Sequence, residues 1–147
     1  MTDFSKLTAE LLTSAHAICE RADVVVWEGE GWSPNIIIGH LIDVDQEVWL
    51  PRFAMMVEAW RNHLPIPKLS WWEPDPVKTS QKYSNSTLTQ ATELLLISRE
   101  TMSDYLLKLS SHDLSAQAEH ATFGRITIES MLQIILNHDK EHLASLH

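Results

Sequence analysis

Residues 124–147 read GRITIESMLQIILNHDKEHLASLH. Thr127 can cap a helix by taking a backbone amide of the first turn, with Ser130 three residues on in place of the glutamate of a full capping box. From there Met131, Ile134, Ile135, His138, His142 and Leu146 recur three and four residues apart, the spacing of one broad helix face. The same period appears in three other places. Leu7, Leu11, Ala15 and Ile18 predict a first helix over residues 4–22. Ser33-Pro34, a capping residue followed by a proline tolerated at the first helical position, opens a second. Its face is Ile37, His40, Leu41, Val44 and Val48, and it resumes with Phe53, Met56, Val57 and Trp60. Pro51 lies inside this pattern, so a kink or break is expected near Glu47. A third helix begins near Ser86-Thr87, carries Leu88, Ala91, Leu95, Met102, Leu106 and Leu109, and ends near Ser110.

These segments predict an all-α four-helix bundle occupying residues 1–147 as a single domain. The 147-residue length suits one domain, and only 4 glycines argue against a sandwich or barrel with many tight turns. Two connections are long. Residues 62–83 hold four prolines and the pair Trp71-Trp72, too apolar for a loose linker, and are expected to pack across the bundle between helices two and three. Residues 112–125 form the second loop.

The formal charge of −9 repels phosphate backbones, and no Lys/Arg cluster offsets it, so nucleic acid is not an expected partner. No apolar run approaches the length of a membrane span, and MTDFSKLTAE lacks the basic and apolar regions of a signal peptide. Cys19 is the one cysteine, which excludes an internal disulfide and fits the reducing cytoplasm; within an apolar helix it reads as a small core residue.

His138 and His142 stand four apart, on one helix face, and so can converge on one ion. Two imidazoles alone make a weak site. His40 also sits on an apolar stripe, and placing its helix beside the last one brings three imidazoles together in the bundle, a catalytic-style set that leaves positions open for water or substrate. The competing reading is three hydrogen-bonded core histidines. HDKEH matches the HExxH protease motif poorly, because Asp139 stands where the catalytic glutamate belongs. Asp139 reads either as a solvated charge or as an acceptor orienting an imidazole. Asp43 and Glu47, three and seven residues after His40, are candidates to accept a proton from a ligating imidazole or to act as general base, Glu47 ahead of Asp43. His120 faces either solvent or a site mouth, while His16, His63, His112 and His147 have no partner at metal spacing. Trp27, Trp32, Trp71 and Trp72 all fall in loops and are candidates to wall a pocket at one end of the bundle.

WSPNIIIGHLIDVDQEVWLPRF (residues 32–53), WWEPDP (71–76), LLLISRETMSDYLLKL (94–109) and FGRITIESMLQIILNHDKEHLASL (123–146) together resemble the DinB-like superfamily over nearly the whole chain. The resemblance implies a bundle of up-up-down-down topology and a divalent metal, zinc or nickel, held by His40, His138 and His142. It also implies a homodimer, and kinship with thiol-dependent S-transferases and metal-dependent hydrolases. The expected function is activation of a low-molecular-weight thiol or a water for attack on a small-molecule substrate. The alternative is a non-catalytic, stress-associated metal-binding or interaction bundle.

Overall fold

The computed structural model describes residues 3–146. Helix α1 spans Asp3–Val24 and α2 spans Pro34–Val44. A π-helical turn, Asp45–Trp49, joins α2 to α3, Leu50–Arg61. The crossover that follows contains a short strand β1, Lys68–Leu69, and a helix α4, Pro76–Tyr83. Next come α5, Leu88–Leu107, a hairpin of β2, Gln117–His120, and β3, Gly124–Thr127, and finally α6, Ile128–Ser145.

Two of the three capping signals hold at atomic level. Thr87 and Thr127 each form a reciprocal box, with Gln90 and Ser130 respectively. Ser33 precedes Pro34 at the start of α2 but makes no side-chain cap bond. The expected break near Glu47 is the π-helical turn. Pro51 has no amide to give and its ring would strike the carbonyl of Glu47 in a regular helix; the wider turn relieves both, and the Leu50 amide reaches back to the Asp45 carbonyl.

Two apolar clusters fill the bundle from end to end. One joins Leu11, Phe53, Met56, Met102, Leu106, Met131 and Ile135. The other joins Ile18, Ala22, Ile37, Leu41, Ala91, Leu95 and Leu146. The start of α1, the α3 half of the second rod, the end of α5 and the start of α6 therefore share one end. The four rods, with α2–α3 as one, run up, down, down, up. The bundle and the crossover between the second and third rods are as the sequence implies; the order of directions is not up-up-down-down. The reason lies in the connections. Residues 25–33 join α1 to α2 within one end, and the 108–127 segment joins α5 to α6 within the other, so both pairs are antiparallel. Only the 62–87 crossover travels the length of the bundle.

Both long connections carry structure that the helical period does not signal. Residues 117–127 pair antiparallel, Ala118 with Ile126 and His120 with Gly124, and β1 adds in parallel, Leu69 opposite His120. Ala118, His120 and Ile126 are buried while Glu119 and Arg125 are exposed, the period-2 pattern in a segment too short to stand out. Gly124, at φ 73°, closes the three-residue connection in a conformation that other residues rarely adopt. In α4, Asp75 caps the Val77 and Lys78 amides and Pro76 takes the first position. That helix lies tight on α2 at Gly39, where a Cβ would come within 2.2 Å of the Tyr83 ring.

α1 packs against α5 and α6, and α2 packs against α5. The remaining seam, between α2–α3 and α6, is covered by the crossover and the hairpin. Cys19 is buried and burial pushes its thiol up to about 11, so it is an inert packing residue at neutral pH.

Candidate metal centre

The seam holds the histidines. His40 lies in the middle of α2 and is 5% exposed; His138 and His142 sit one turn apart on α6. The ring centroids of His40 lie 5.6 Å from His138 and 4.9 Å from His142, and those of His138 and His142 are 4.5 Å apart. One nitrogen of each lies within 4.8 Å of the other two. The Nε2 atoms of His138 and His142 are 3.2 Å apart. Two nitrogens bound to one tetrahedral zinc at about 2.0–2.1 Å are roughly 3.3 Å from each other, so this pair already has the spacing of a shared ion.

Nδ1 of His40 and Nδ1 of His138 are buried with no hydrogen-bond partner among the described residues. That is unusual for a core histidine, whose ring nitrogens normally find partners. Burial, together with the other two imidazoles, pushes His40 down to about 4. Burial and the neighbouring His142 do the same to His138, also to about 4. Burial lowers His142 as well. All three rings are therefore neutral at pH 7, the form that ligates metals. Donor type, the clustering of one nitrogen from each ring and the unpartnered Nδ1 of His40 together fit a divalent metal ion.

The imidazoles open into a cavity of about 590 Å³. Trp32 lies 5.3 Å from His40 between ring centroids, Trp72 stacks on it at 6.3 Å, and Trp49 meets His138 edge-on at 6.0 Å. Trp71, Phe123 and Met131 complete the apolar wall. Three of the four loop tryptophans expected at a pocket, Trp32, Trp71 and Trp72, are there. Trp27 is not: it is half exposed and bonds the Glu30 carbonyl. Trp49, in the π-helical turn, takes a place that the sequence reading gave to no residue.

The two carboxylates proposed as a base are elsewhere. Glu47 is exposed and does not line the cavity. In an unbroken helix it would share the His40 face, two turns on. The π-helical turn inserts one residue, so Val48, Trp49 and Arg52 take the inward positions and Glu47 is rotated to solvent. Asp43 is buried, but its Oδ1 is taken by Lys82 Nζ at 2.8 Å and by the Tyr83 hydroxyl at 2.5 Å, both on α4. It clamps α4 onto α2 and acts on His40 only as a nearby negative charge.

Asp139 is neither solvated nor an imidazole acceptor. It is fully buried in a bidentate pair with Arg99, at 2.6 Å for each bond, and also accepts from Ser14 at 2.8 Å. Arg99 extends to Asp45 at 2.8 Å. This cluster fastens the two histidine-bearing rods to α5. Arg99 sits in the apolar-looking run LLLISRETM and nothing in its spacing marks it as buried.

His120 faces the cavity rather than solvent and is 5% exposed. Its Nδ1 accepts the Thr122 and Phe123 amides at 3.0 and 3.3 Å, so the neutral ring carries its proton on Nε2. Burial and the Arg52 charge lower its pKa. Arg52, also at the cavity, was missed; only its place one residue after Pro51 could have pointed to it. His16, His63 and His112 are exposed and apart from the site, His112 meeting the Trp60 indole N–H at 3.2 Å, and His147 lies outside the described residues.

Fold and site together define a helical-bundle protein with a three-imidazole centre at the mouth of an aromatic cavity. The chain belongs to the DinB superfamily, which it matches over residues 4–146. Among solved structures it is similar to YfiT from Bacillus subtilis, described as a probable metal-dependent hydrolase with an unusual four-helix bundle topology. The two share 16% identity at a TM-score of 0.75, covering 99% of this chain and 86% of that one, a likeness of fold. No curated protein matches the chain.

Proposed function

We propose that this protein is a metal-dependent enzyme of the S-transferase or hydrolase type acting on a small molecule. His40, His138 and His142 would hold a zinc or nickel ion. Such an ion supplies Lewis acidity, lowering the pKa of a bound water or low-molecular-weight thiol so that it can act as nucleophile near neutral pH. The supporting observation is the convergence of three neutral imidazoles on a cavity large enough for a metabolite. Trp32, Trp49 and Trp72 pack around the imidazoles and keep bulk water from their sides. Asp45 and Asp139, tied to Arg99, hold α2 and α6 at the separation at which the rings meet. With Asp43 and Glu47 turned away, Glu141, exposed on α6 at the cavity edge next to His142, would serve as the proton acceptor in this reading. A homodimer, a cytoplasmic location and the absence of a nucleic-acid partner belong to the same reading, the last supported by the charge of −9.

Elemental analysis of untagged protein beside His138→Ala is the test. About one zinc or nickel per chain, lost in the variant along with turnover in a thiol-transfer and ester-hydrolysis screen, supports the proposal. Turnover unchanged in each of His40→Ala, His138→Ala and His142→Ala refutes it.

A further inference from the structure

Away from the histidines, the cavity contains a positive charge that no carboxylate balances. Arg52, on the first turn of α3, gives one Nη2 hydrogen bond to the Ser70 carbonyl at 2.7 Å, which pins the crossover to the rod. Its other guanidinium nitrogens have no partner, and it forms no ion pair, among the described residues. The two carboxylates on the cavity wall are committed or distant in role: Glu73 accepts the Trp71 indole N–H at 3.0 Å, and Glu141 lies beside His142. A half-buried guanidinium without a counter-ion is a ready partner for an anion that enters the cavity.

A second donor stands with it. His120 is close enough for the Arg52 charge to act on it, and its Nδ1 is occupied by two backbone amides. Its Nε2–H is therefore a fixed donor with no partner among the described residues. The His120 ring lies 4.7 Å from Phe123, which lies 6.2 Å from Trp71, so an apolar surface adjoins the two donors.

We infer that Arg52 and His120 form a subsite for a carboxylate on the substrate or its thiol co-substrate, with the molecule's apolar part against Trp71 and Phe123 and its reacting end toward the three histidines. One guanidinium and one neutral N–H match a single negative charge. A phosphate dianion would leave excess charge near Glu73 and Glu141. The inference deepens the proposed function and rests on it for the reaction, but the subsite itself requires no metal.

The test separates the two. Phenylacetate and its neutral isostere phenylacetamide are titrated into chelator-treated full-length protein at pH 8, where the triad imidazoles are neutral, with tryptophan fluorescence and calorimetry as readouts. The expected result is at least about tenfold tighter binding of phenylacetate, the range of one charge-assisted pair. The preference falls to near one in Arg52→Gln, survives in part in Arg52→Lys, and is unchanged in His138→Ala. Retention in His138→Ala with no metal found in any form leaves the subsite standing while the metal reading fails. No preference in the wild type, a preference unaffected by Arg52→Gln in a variant with wild-type circular dichroism, or tighter binding of benzylphosphonate overturns the inference.

Discussion

Replacing Arg99 with methionine isolates the forces that hold the histidine-bearing rods in place. The Arg99 side chain is fully buried and gives three charged bonds, one to Asp45 at 2.8 Å and two to Asp139 at 2.6 Å, with a fourth to the Leu11 carbonyl at 3.2 Å. Methionine fills most of the volume but leaves two buried carboxylates facing each other, with only the Ser98 and Ser14 hydroxyls as donors, at 3.1 and 2.8 Å. Removing one partner of a buried ion pair costs about 3–5 kcal/mol, and here the loss sits at the upper end because two anions are stranded. Against a total stability of about 5–15 kcal/mol, Arg99→Met removes a third or more. The deficit depends on pH in a definite direction. Burial already raises the Asp45 pKa against the pull of Arg99, and removing Arg99 raises it further. A carboxyl whose folded pKa lies above its unfolded value favours folding at low pH and loses that advantage as pH rises through the folded value. The difference from wild type is therefore smaller at pH 5 than at pH 7.5. Urea unfolding followed by far-UV circular dichroism at both values measures it, with the wild type cancelling the histidine titrations. Replacing the whole cluster, Asp45→Leu, Arg99→Met and Asp139→Leu, is expected to recover most of the loss. A deficit below about 1 kcal/mol at pH 7.5, or one that grows on acidification, would refute the electrostatic account.

Three further outcomes are expected. The metal-free protein loses stability as pH falls from about 6.5 to about 4, because the unfolded chain takes up protons on His40 and His138 before the folded one does; after allowing for partial solvation the loss is on the order of 1–3 kcal/mol, and a flat urea midpoint over that window would sink the assignment. Zinc at a hundred times its dissociation constant stabilises the fold by about 2.7 kcal/mol, seen as a rise in Tm, with no rise in His142→Ala; equal shifts in both proteins would place the ion elsewhere. Gly39→Ala sets a Cβ against the Tyr83 ring and is expected to destabilise by about 1–3 kcal/mol despite the better helix propensity of alanine, with a smaller cost when the same change is made in a Tyr83→Ser background; a neutral Gly39→Ala would mean that α4 moves aside freely.

The periodicity of residues 127–146, the caps at Thr87 and Thr127 and the proline at 51 are local properties, and the rods follow from them with little help from the rest of the chain. His138 and His142 share a face for the same local reason, and the apolar neighbours of His40 point it inward. What could not be read is what depends on a partner far away in sequence. Glu47 looked like a site residue because it stands seven residues after His40; the break near it was legible from Pro51, but not its form, and the one residue inserted by the π-helical turn brings Trp49 and Arg52 to the cavity and leaves Glu47 in solvent. Asp43 and Asp139 looked available because their claimants, Lys82, Tyr83 and Arg99, lie 39 to 40 residues away on other helices. The β2–β3 hairpin, four residues to a strand, is too short for its alternation to register, yet it delivers His120 to the cavity. The sequence by itself determined the rods and the inward face of the three histidines, since helical period is carried by near neighbours. The tertiary structure decided the direction of the rods, which carboxylates are spent in ion pairs and which cation is left facing the cavity, because charge pairing and burial are settled only when distant segments meet.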